Sequence, residues 1–215
     1  MLTASATTEP QYVWLRLGGQ LVRWEARGGL KPGVVTYGFV QSRMAFGSAH
    51  NCKAMDPLDG IAASMNKPLS IVEQEIVKGI KQWEMATPLR FEQAKDWTKA
   101  QILIGARPKS SGSGFADVFP SHARGPIAGI QRSLICFDAG HRWKIGFDGN
   151  MTSYDIRYVA MHEAGHAIGL DHPGSSGEVM SYKYQETFRS LQPGDVRGAK
   201  SLYDADGAST LAQTR

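Results

Sequence analysis

The sequence predicts an α+β fold: a mixed, twisted sheet, two long helices and a small C-terminal subdomain. Three observations carry that expectation. Short apolar runs of strand length recur from residue 13 to residue 137, punctuated by glycine and proline. Two longer segments, 69–85 and 153–170, have the length and pattern of helices. A glycine at 169 and a proline at 173 then stop the second helix, and a further short helix is expected after them.

Taken in order, 13–24 reads as a hairpin: Val-Trp-Leu-Arg-Leu, the pair Gly18-Gly19, then Leu-Val-Arg-Trp. Gly28-Gly29 and Pro32-Gly33 punctuate the next stretch, and 34–40 looks like a strand. From 41 to 68 the pattern fades into a long connection. In the helix at 69–85, Ile71, Val72, Ile76, Ile80 and Trp83 recur at helical spacing. Ser70 and Glu73 suggest a capping box, and Pro88 ends the segment. Strand-length runs come next at 89–92, 101–106, 115–119 and 133–137, with loop composition at 110–114. A last helix is expected over 193–203, with Val196, Ala199, Leu202 and Tyr203 turned inward.

Composition bounds what such a chain can do. Its 215 residues suit one domain with room for a core, at 42% hydrophobic and 20% charged. The net charge of +4 is scattered without a basic block, which argues against nucleic acid as a partner. No apolar run approaches 18 residues, so no membrane span is expected, and the first ten residues lack the pattern of a signal peptide, so the protein is either leaderless or has had its leader removed. The cysteines, Cys52 and Cys136, are too few for a disulfide scaffold. They form either one bridge outside the cell or two buried thiols.

Chemistry concentrates in eleven residues, His162-Glu163-Ala164-Gly165-His166-Ala167-Ile168-Gly169-Leu170-Asp171-His172. Four apart, His162 and His166 project from one face of a helix, with Glu163 on its flank. A continuous helix would put His172 about 15 Å along the axis from His162, too far for a shared ion with bonds of about 2.1 Å. The chain must therefore leave the helix between His166 and His172. Gly169 stands where a left-handed cap is needed, and Pro173 prevents recovery. The pattern suits one zinc ion on three imidazoles, with an open position for water and a carboxylate base beside it.

This motif, followed eight residues after His172 by Met180, resembles the metzincin clan of zinc endopeptidases. The eight-residue gap is similar to that of the matrixins, the matrix-metalloproteinase family. Gln82-Trp83, Thr87-Pro88-Leu89-Arg90-Phe91, Phe137-Asp138, Arg142-Trp143, Asp195-Val196 and Leu202-Tyr203 are similar to that family too. Met180-Ser181-Tyr182 resembles the Met-x-Tyr turn of serralysins and astacins, where the tyrosine reaches the zinc.

The resemblance implies a metzincin fold divided into an N-terminal hairpin or extension (1–33), an N-terminal catalytic subdomain (34–172) and a C-terminal subdomain with the methionine turn and final helix (173–215). It implies a secreted, monomeric enzyme that hydrolyses internal bonds of protein or peptide substrates. His162, His166 and His172 would hold one catalytic Zn2+. Glu163 would act as general base, and Tyr182 would hydrogen-bond the oxyanion or pack beneath the histidines. Met180 would form an apolar floor, and Tyr184 would line the pocket for the residue after the cleaved bond. The edge strand at 114–119 would hold substrate by strand addition. Asp117 and Cys136 stand where the family places histidine ligands of a second, structural zinc, which speaks against that ion here. Asp138 and the Asp148-Gly149-Asn150 turn offer oxygen ligands for Ca2+. Two other readings use the same motif: a zinc hydrolase of small amides, and an inactive metzincin-like binding module. Residues 1–33 are either a structural hairpin or the remnant of an inhibitory propeptide lying in the cleft.

Overall fold

In the computed structural model, residues 11–25, 33–108, 112–121, 125–174 and 177–204 are described. The expected glycine and proline punctuation at 28–32 and the start of the loop at 110 lie outside them. The N-terminal hairpin forms as expected. β1 (Val13–Trp14) and β2 (Arg16–Leu17) run into the Gly18-Gly19 turn, and β3 (Gln20–Arg23) returns antiparallel to β2. β4 (Val34–Phe39) is next along the chain. The stretch expected to be featureless contains a small ribbon, β5 (Met44–Ala45) with β6 (Ala54–Met55), and a short helix, α1 (Asp59–Ser64). Its six residues span less than two turns, too few for periodicity to show, and it is fixed by burying Leu58, Ile61 and Ala62.

α2 (Leu69–Ile80) continues into a 3-10 turn (Lys81–Met85), together covering the predicted 69–85. Pro68, not Ser70, occupies the N-cap, and no side chain caps that end, so the expected capping box does not form. Val72, Ile76, Ile80 and Trp83 are buried, whereas Ile71 is 37% exposed and lies off the apolar stripe. Next come β7 (Arg90–Gln93), β8 (Ile102–Arg107), β9 (Gly114–Pro120) and β10 (Ile127–Asp138), the last far longer than the expected 133–137. β11 (Trp143–Lys144) pairs with β12 (Tyr154–Asp155). Then α3 (Ile156–Ala167), β13 (Leu170–Asp171) and α4 (Pro193–Tyr203) complete the chain.

Seven strands of the described residues form one sheet in the order β2-β3-β10-β8-β4-β7, with β9 also on β10. β4, β7, β8 and β10 run parallel to their neighbours along that path, and β9 is antiparallel to β10. The apolar runs of β8 and β10 reflect burial on both faces. Ile102, Ile104, Ile135 and Phe137 pack on the helical side, while their neighbours Leu103, Leu134 and Cys136 face the opposite layer. That opposite layer is stapled by a Cys52–Cys136 disulfide (S–S 2.06 Å, Cα–Cα 5.8 Å), which settles the two readings of the cysteines in favour of a bridge. β3 joins the main sheet beside β10, and β1 pairs with β13, so the N-terminal hairpin is built into the fold. None of the described helices is long and apolar enough to cross a membrane.

Candidate metal centre and cleft

α3 is set in place at its start and at its middle. The Asp155 carboxylate accepts from Tyr158 N (2.8 Å) at the start, and the indole Trp83 Nε1 donates to Met161 O (2.8 Å). The helix is shorter than the predicted 153–170, because Asp155 begins it and Gly169 cuts it off. Gly169 adopts φ +107, and a Cβ there would lie 2.1 Å from Val22 O. Only glycine tolerates both the left-handed backbone and that approach. The turn swings His172 back over the helix.

The outcome is a convergence of three imidazoles. Nε2 of His172 lies 3.1 Å from Nε2 of both His162 and His166, and the candidate ligand atoms all fall within 4.8 Å of one another. Nδ1 of His162 donates to Val179 O (2.7 Å) and Nδ1 of His166 to Leu170 O (2.9 Å). A carbonyl only accepts, so both rings carry the Nδ1–H tautomer and turn bare Nε2 lone pairs inward. His172 can donate to at most one of them, whereas a single divalent cation accepts all three. Burial lowers His162 to about 4, His166 well below the usual imidazole range and His172 in the same direction, which keeps the donors neutral. Donor type, tautomer and convergence all suit zinc.

Glu163 is buried beside this cluster against β9, where a Cβ on Gly114 would meet its Oε1 at 2.9 Å. Burial pushes its carboxyl up to about 8. Met180 packs against α3, its Sδ 2.2 Å from where a Cβ on Gly165 would be. The backbone amides of Val179 and Met180 donate to the buried Asp195 carboxylate (2.9 and 3.1 Å), which ties the methionine turn to α4. Tyr182 stands apart from that packing. It is 79% exposed, with its ring stacked on His172 at 3.8 Å between centroids. It therefore lies beside His172.

The three histidines, Glu163 and Tyr182 line a cleft of about 680 Å³ that runs along β9. At one end lie Tyr158, Val159 and Tyr184. The Tyr184 hydroxyl donates to Glu186 Oε1 (2.8 Å) and accepts from Asp155 N (2.8 Å). At the other end are Leu15 and Leu17 of the hairpin. The rim at 48–51 is pinned through Asp117, which accepts from the amides of His50 (3.3 Å), Asn51 (2.9 Å) and Cys52 (2.7 Å). Asp117 and Cys136 are thus both committed, one to backbone amides and one to the disulfide. In the turn after Phe147, the ammonium of Lys144 contacts Asp148, Glu186 and Asn150 O, a tethered cation among the oxygens expected to suit Ca2+.

Sequence reasoning missed Leu15, Leu17, Tyr158 and Asp195 as parts of this site. The alternation of Leu15 and Leu17 was visible, but nothing in it tells which face meets the cleft. Asp195 stood out only within a stretch similar to the matrixins, which says nothing of its contact with Val179 and Met180.

A family model described as Matrixin matches residues 61–204. Mouse matrilysin is 30% identical over 150 residues, covering 66% of this chain and 55% of that protein. Human matrilysin is 27% identical over 151 residues, 66% and 54% of the two chains. A probable matrix metalloproteinase, 095L, of Invertebrate iridescent virus 3 is 32% identical over 137 residues, 60% of this chain and 37% of the viral one. The chain aligns with about half the length of the matrilysins it matches.

Proposed function

The chain belongs to the matrixin family, and from that premise we propose that it is a zinc-dependent endopeptidase hydrolysing internal peptide bonds of proteins. The observation that carries the proposal is the convergence of three Nε2 lone pairs beside a buried carboxylate. His162, His166 and His172 would hold the ion. When bound, zinc supplies Lewis acidity toward a carbonyl and a water molecule. Glu163 takes the proton of the attacking water and hands it to the departing amine. A carboxyl that burial makes basic suits the first task, and a neighbouring cation favours its charged form.

Tyr182, exposed at the cleft beside His172, donates its hydroxyl to the developing oxyanion. The edge strand β9 holds the substrate as an added strand, which suits a polypeptide better than a small amide. Tyr184 and Tyr158 receive the side chain that comes after the cleaved bond. The disulfide supports an extracellular setting, where such bridges persist. Mass-spectrometric profiling of a peptide pool, with and without a chelator, tests the reading. Internal cleavages that vanish with the chelator support it. Release of terminal residues alone, or of small amides alone, overturns it.

A further inference from the structure

Leu15 and Leu17 precede the residues matched by the family model, yet both line the cleft. They alternate along the hairpin with Trp14 and Arg16. Trp14 turns away to donate Nε1 to Gly198 O (3.0 Å), and Arg16 is exposed. Both leucines are partly buried, packed at their base on the core and open toward the cleft. The hairpin is anchored at the C-terminal end of α3: Leu15 N donates to Gly169 O (2.8 Å), and Trp24 Nε1 to Ala167 O (3.0 Å). The Glu163 carboxyl lies beside Val159 and Gly114, which opens β9 opposite Phe137, at the end of β10 away from its pairing with β3.

That geometry orients a substrate. The carboxylate that protonates the departing nitrogen must sit on the amine side of the scissile bond. The residues after the bond therefore run toward Val159, Tyr158 and Tyr184. Those before it run over His172 toward the hairpin. We infer that Leu15 and Leu17 form a second apolar subsite, which selects a large aliphatic or aromatic side chain before the cleaved bond. The inference rests on the endopeptidase reading and adds to it a specificity determinant outside the family-matched segment.

The test is a cleavage profile of the zinc-loaded full chain, wild type and L17E, on one peptide pool. In the wild type, one position before the bond is enriched in Leu, Ile, Met or Phe. Replacing that side chain with glycine in a paired peptide lowers kcat/KM about tenfold, mostly through KM. In L17E the preference at that position turns to Lys or Arg, a gain that mere destabilisation cannot produce, and the preference after the bond is kept. Cleavage with no apolar preference before the bond, or an L17E profile identical to wild type, overturns the inference and leaves the endopeptidase reading standing. A wild-type chain that cleaves no peptide removes both. If L17E does not fold, the paired peptides on the wild type decide the matter alone.

Discussion

Met180 lies against Gly165 so closely that the glycine's missing Cβ would fall 2.2 Å from the methionine sulfur. Gly165 sits between Glu163 and His166, one residue before a proposed ligand, and Trp83 closes the same space at 2.7 Å. The helix can thus pack on Met180 and Trp83 only with no side chain at 165, in the same turn as His166.

Gly165→Ala is therefore expected to cost about 1–3 kcal/mol or more by overpacking and to weaken zinc retention. Met180→Ala opens a cavity and costs about 2–5 kcal/mol alone. Because each change relieves the other, the double variant should be more stable than the sum of the two losses implies. Thermal melts of the three variants check this, and strict additivity would mean that the two residues do not share a contact.

Glu163→Ala should abolish peptide hydrolysis, by at least about a thousandfold, while zinc stays stoichiometric, since the carboxylate is placed as a base and not as a ligand. Metal analysis and turnover on the same sample decide it. An active variant refutes the general-base role, and a zinc-free one refutes the separation of roles.

The bridge between Cys52 and Cys136 closes a loop of 84 residues, for which chain entropy suggests about 4–5 kcal/mol. The Cys52→Ser/Cys136→Ser variant should melt on the order of 10 °C lower, at about 2–4 °C per kcal/mol for a chain of this size. Its rim at 48–51 would still be held by Asp117 and by the backbone bonds Ala49 N to Phe46 O and Phe46 N to Lys53 O. Calorimetry with and without reductant measures the loss, and an unchanged melting point would show that the bridge does not form in solution.

Glu75 connects α2, α3 and the segment after Tyr184, accepting from Lys78 (2.7 Å), Arg157 (2.7 Å) and Arg189 (3.4 Å). Burial alone would raise its carboxyl, but the hydrogen bonds and charges of Lys78 and Arg157 outweigh burial and leave it below 4.5. A carboxyl lowered by folding contributes stability that is present above its usual pKa and lost as pH falls through its folded value. Wild-type stability should therefore drop as pH falls below about 4.5. Glu75→Gln should cost about 1–3 kcal/mol at neutral pH and show a shallower acid limb. Melting curves from pH 7 to pH 3 test both, and parallel acid limbs would deny Glu75 that part.

The metal motif could be read from the chain because its geometry is local. Two histidines four apart and a glycine break are fixed by helical pitch and by φ, and the fold needed only to close the turn onto His172. Strand and helix positions were legible for the same reason. Ser70 misled because Pro68 took the cap, and α1 escaped because six residues are too few for a helical period to show. The hairpin's share of the cleft was invisible for a different reason. Whether Leu15 and Leu17 face core or cleft is decided by the pairing of β1 with β13, about 157 residues away. The same limit held for Asp195, whose partners Val179 and Met180 come from another segment.

The most direct measurement of the central claim is X-ray absorption at the zinc edge on the full chain, with metal content determined in parallel. One zinc per chain with three imidazole nitrogens at about 2.0–2.1 Å, and loss of one nitrogen in His172→Ala, is the expected result. Sulfur in the coordination sphere, fewer than three imidazoles, or a spectrum that His172→Ala leaves unchanged would contradict it.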